Sequence, residues 1–115
     1  MLASVALFNR GHWYEAHDGL EELWHETAGP DRLVLQGILQ IAVAQLHLER
    51  GNQRGAVILM GEGLGRLRRC PDQALGLDLA PLKRAATAHL AWLQQPVPQA
   101  DQDLPALQLG EASPS

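Results

Sequence analysis

Apolar positions along the chain recur every three to four residues, and nowhere do they alternate with the period of two that a half-buried strand requires. The spacing predicts five helices and makes strands unexpected. The first covers about residues 3–10 and stops at Gly11, the residue type common just past a helix end. On the second, about 12–27, Trp13, Ala16, His17, Leu20, Leu23 and Trp24 share one face, with Glu15, Asp18, Glu22, His25 and Glu26 on the other. Gly29-Pro30 ends it and opens the third, about 31–50, since proline suits a first turn. That helix is apolar nearly all round, which predicts a central position in a bundle. Gly51-Asn52 breaks the chain before the fourth helix, about 53–70, whose stripe is Ala56, Met60, Leu64 and Leu67. Its Gly61, Gly63 and Gly65 each cost about 1 kcal/mol relative to Ala, so they either admit a close neighbour or leave the helix soft. The fifth, about 79–94, has Asp78 as its N-cap and Leu79, Leu82, Ala86, Leu90 and Leu93 on its core face.

Arg10-Gly11, Ala16 and Glu22 recur forty positions on as Arg50-Gly51, Ala56 and Glu62. Each copy is a helix, a glycine turn and a helix, the pattern of tetratricopeptide-type hairpins, although two hairpins are fewer than such arrays need. The expected fold is therefore all-α: a single compact bundle of about five helices with helical-hairpin character. Residues 1–94 form the bundle in this reading. Residues 95–115 form a Pro-rich, acidic C-terminal extension, with Leu104, Leu107 and Leu109 as the side chains through which a short segment could dock.

Composition narrows the class without naming an activity. A chain of 115 residues with 46% hydrophobic and 19% charged residues supports one folded domain and excludes a disordered polyelectrolyte. One cysteine excludes an internal disulfide framework, and no signal peptide is visible, so the cytoplasm is the expected compartment. The longest run free of charge, Leu33 to Leu48, contains three Gln and a His and is shorter than the roughly 20 apolar residues of a bilayer span. The net charge of −4 hides an asymmetry: two Arg face seven acids in residues 1–49, and seven bases face three acids in 50–84. The cluster Arg66, Arg68 and Arg69 sits where cations complement a helix dipole, so nucleic acid is disfavoured and a protein or a second copy is the favoured partner.

Candidate chemistry lies in polar residues on apolar faces. His17 stands between Trp13, Leu20 and Trp24, with Glu21 one turn on. In the third helix Gln36, Gln40 and His47 line up on an otherwise apolar rod. An antiparallel packing of the second and third helices would set the two groups face to face. One reading is a hydrogen-bond network in which Glu21 orients His17 and the glutamines bridge helices. The other is a pocket for a small molecule or a divalent transition metal, with His17, Glu21 and His47 as ligands. Glu22-x-x-His25 is a single copy on the polar face and does not make a di-iron site, which needs two such motifs. No zinc-protease, dinucleotide, P-loop or nucleophile-elbow motif is complete. Cys70 beside Arg68 and Arg69 is read as a small apolar filler before Pro71, and the three tryptophans as core.

Two blocks carry a family resemblance. Phe8-Asn9-x-Gly11-x-x-Tyr14-Glu15-Ala16-His17-Asp18-x-Leu20-Glu21-Glu22-Leu23-Trp24 is the first. The second is Leu35-Gln36-Gly37-Ile38-Leu39-Gln40-x-Ala42-Val43-Ala44, then His47, then Gly51-Asn52-x-x-Gly55-Ala56. Together they resemble the signature of small bacterial and archaeal proteins grouped as domain of unknown function 309, over about residues 8–67. Asp18 departs from that pattern, which has Glu. The resemblance implies a compact helical bundle and no assigned activity. Its signature positions here are Glu15, His17, Asp18, Glu21, Trp24, Gln36, Gln40 and His47. The expected function is a binding or assembly module; the alternative is a metal-dependent or small-molecule enzyme with a His/Glu/Gln pocket between the second and third helices.

Overall fold

The computed structural model describes residues 1–95 and 107–109, and for Gln108 and Leu109 the backbone alone. Five helices form where the apolar spacing predicts them: α1 (Leu2–Asn9), α2 (Trp13–Glu26), α3 (Pro30–Glu49), α4 (Gln53–Leu67) and α5 (Ala80–Leu93). The fold class is all-α. The helix α3 packs along both α2 and α4, α1 lies against α2, and α5 lies against α4. No helix among the described residues is long and apolar enough to cross a membrane.

The forty-residue repeat has a structural counterpart. Arg10 and Arg50 each close a helix, and Gly11 and Gly51 follow with φ of 78° and 77°. That left-handed conformation strains any residue with a Cβ and lets the chain reverse into the next helix. Ala16 and Ala56 are both buried beneath the turn, and Glu22 and Glu62 are both exposed. The two hairpins α1–α2 and α3–α4 thus share a plan.

Core faces follow the wheels closely on α4, where Ala56, Met60, Leu64 and Leu67 are all buried, and on α5, where Leu82, Ala86 and Leu93 are. On α2 only Trp13, Ala16 and Leu20 are fully buried, with His17, Leu23 and Trp24 on its flank. Phe8 meets Trp13 edge to face at 5.1 Å, joining α1 to α2. Asn52 caps α4 by accepting from the Gly55 N–H at 3.0 Å. The N-cap of α5 is Leu79 and not the expected Asp78, which stands one residue earlier and accepts from the Ala80 N–H at 3.1 Å.

Strands, unexpected from the pattern, occur as three two-residue pieces: β1 (Gln73–Ala74), β2 (Leu77–Asp78) and β3 (Gln108–Leu109). The sheet order is β1-β2-β3, antiparallel throughout, with Leu77 opposite Leu109 and Asp78 opposite Gln108. Pieces of two residues are too short to display alternation, and a turn at Leu75-Gly76, both at positive φ, brings β1 and β2 together. Asn9 then clasps Leu107: its amide nitrogen donates to the Leu107 carbonyl at 2.9 Å, and its oxygen accepts the Leu107 N–H at 2.6 Å. Leu107 is buried in the core. Leu104 lies outside the described residues.

Candidate functional site

The signature residues form three groups around α3, the first two sharing Glu21. In the first, His17 on the flank of α2 faces two carboxylates, with Nε2 3.3 Å from Glu21 Oε2 and Nδ1 3.7 Å from Asp18 Oδ1. The i,i+4 spacing of His17 and Glu21 on one helix sets the shorter contact. Glu15 pairs with His12 at 3.3 Å, one turn toward the helix start.

The second group is a cleft between α2 and α3 of about 260 Å³, lined by Glu21, Trp24, Gln36, Leu39 and Gln40. Here the antiparallel packing brings Glu21 to the glutamines as the wheels predict. Arg32 stacks over the Trp24 ring at 3.8 Å and pins the turn between the two helices. The Trp24 indole N–H is buried and finds no acceptor among the described residues. Gln40 stands at the edge of the cleft and is held from α4: Arg66 Nε donates to its oxygen at 2.8 Å, and its nitrogen donates to Glu62 at 3.3 Å. Gln40 therefore bridges α3 to α4 rather than α3 to α2. Neither Arg66 nor Glu62 is suggested by the α2–α3 pairing. Their positions one turn apart on α4 were the available signal.

The third group closes the α3–α4 turn. His47 Nδ1 accepts from the Asn52 amide nitrogen at 3.1 Å, while the Asn52 oxygen caps α4. His47 is thus spent at the turn and does not join His17 and Glu21. Among the described residues, no three His, Cys, Asp or Glu side chains are grouped to hold a metal ion. Glu22 and His25 are exposed on the outer face of α2.

Cys70 closes the far end of α4, buried, with its thiol donating to the Arg66 carbonyl at 3.3 Å. Burial pushes its pKa up, against a smaller opposing pull from Lys83. Its burial and its bond to the Arg66 carbonyl fit a packing group.

An all-helical bundle with its polar signature shared between α2 and the central helix α3 is the class that fold and site define. The family model described as domain of unknown function (DUF309) matches residues 1–59, more than half of the chain, and the chain belongs to that family. An uncharacterized protein of Aquifex aeolicus (strain VF5) is 26% identical over 77 residues, which is 66% of this chain and 23% of the relative. The chain thus spans about a quarter of that relative's length.

Proposed function

We propose that the protein is a cytoplasmic binding and assembly module whose contact surface is the outer face of α2. The observation that carries this is the exposed ridge of Glu15, Asp18, Glu22 and Glu26 beside Tyr14, itself 55% exposed. Among the described residues no Lys or Arg pairs with any of these acids; histidines are their only ionic partners. Such a ridge complements a basic protein surface, and tyrosine supplies contact area at small entropic cost. The remaining signature residues act as fasteners in this reading: His17 with Glu21, Gln40 with α4, His47 with Asn52. The Aquifex relative carries its matching stretch within a longer chain, as a module that recruits a partner would.

A synthetic amphipathic Lys/Leu helical peptide is the probe. Calorimetry is expected to detect binding to the native protein that weakens as salt shortens the Debye length from about 10 Å to about 3 Å. The Glu15→Lys/Asp18→Lys/Glu22→Lys variant is expected to lose at least about tenfold in affinity, while His17→Gln keeps it. Equal affinity in the triple variant overturns the assignment.

The cleft of about 260 Å³ favours one further reading, a small-molecule pocket in which Glu21 and Gln36 orient a ligand. Elemental analysis of untagged protein, with the Glu21→Gln variant beside it, tests a metal form of that reading: a stoichiometric metal lost in the variant supports it.

A further inference from the structure

Among the described residues, none covers the outer face of α4. Ile58, Gly61, Glu62, Gly65 and Arg69 fall on one side of the helix, since their spacings of three, four, seven and eleven residues return to the same face. Ile58 is 52% exposed, one of few large apolar side chains so placed. A Cβ built on Gly61 or Gly65 meets nothing within 4 Å, so among the described residues no neighbour requires either glycine. Together with Glu62, Arg66 and Arg69 they line a surface hollow of about 290 Å³.

Charge on this face is arranged unusually. Glu62 and Arg66 are one turn apart, the spacing of a helical ion pair, yet they do not pair with each other. Gln40 holds both, its oxygen on Arg66 and its nitrogen on Glu62. Each is thereby fixed with the rest of its charged group unspent, which lowers the entropy lost when a partner pairs with it.

We propose that this face binds a second copy of the chain, with the two α4 helices antiparallel across a two-fold axis. An axis at the level of residue 63 sets Gly61 over Gly65 of the second copy and lets the two backbones approach. The same operation brings Glu62 toward Arg66 of the second copy, and Arg66 toward its Glu62, so the face is self-complementary in charge. Ile58 then lies along the hollow, against the aliphatic stem of Arg69 of the second copy. This specifies the assembly half of the reading above and uses a different surface, so each can fail without the other.

Sedimentation velocity on the full chain tests it. One helix pair is a small interface, so a reversible dimer with a dissociation constant of about 1–100 µM is expected, with mass rising from 12.5 kDa toward twice that. Glu62→Arg and Arg66→Glu, singly, are expected to give monomer, and the double exchange to restore the dimer because it swaps both halves of each pair. Gly61→Leu is expected to abolish association while raising the melting temperature, because it fills open space and favours helix. A wild-type protein monomeric across this range, or a dimer indifferent to these changes, overturns the proposal. The charge exchange decides the matter however the leucine variant folds. Peptide binding at α2 is expected to be unchanged in all of these variants.

Discussion

At the scale of single residues, polar side chains here act mainly by where they are anchored. Gln40 spends both ends of its amide on α4, and His47 spends Nδ1 on the residue that caps the next helix. The Cys70 pKa is raised from the ordinary 9.0 because burial penalises the thiolate. The unfolded chain therefore ionises at lower pH than the folded one. The stability this contributes is complete below about pH 9 and is lost as pH rises through the folded value. Denaturant midpoints are expected to fall above about pH 9, less steeply in Cys70→Ala. An identical alkaline fall in that variant would show that another group is responsible.

At the scale of elements, α3 and α4 approach closely because glycines face each other. A Cβ on Gly63 would stand 2.8 Å from the Gly37 carbonyl oxygen, and one on Gly37 would stand 2.8 Å from Leu67 Cγ. Gly63→Ala is expected to destabilise by about 1–3 kcal/mol in spite of alanine's better helix propensity. Gly65→Ala, which meets open space, is expected to gain up to about 1 kcal/mol. Urea unfolding of the two variants reads the difference, and equal midpoints would rule out the close approach. The helices themselves were legible because Gly11, Pro30, Gly51 and Pro71 punctuate runs of clear helical period. The site was legible in part. A wheel assigns Gln36 and Gln40 to one face of α3, and both line the cleft with Glu21. It does not say that Gln40, at the edge of that face, lies within reach of α4, nor that His47 ends at the turn. Residue direction is written in local sequence, whereas the choice between two neighbouring helices depends on packing.

At the scale of the molecule, acids gather on α2 and bases on α4 and α5, with α2 and α4 each packed against α3. What joins the far end of the described chain to its beginning is the Asn9–Leu107 clasp. Asn9→Ala removes both of its hydrogen bonds and is expected to cost about 1–3 kcal/mol. Amide exchange at Leu107 is expected to speed up, with α3 and α4 amides unaffected. Protection at Leu107 equal to wild type would show that burial alone holds this segment.

The clasp joins positions 98 apart in sequence, whereas α3 and α4 meet across a turn of three residues. Closing a long loop is entropically costly and must precede the contacts that reward it. The molecule is therefore expected to keep two clocks: hairpins that form from neighbours, and a closure that follows them.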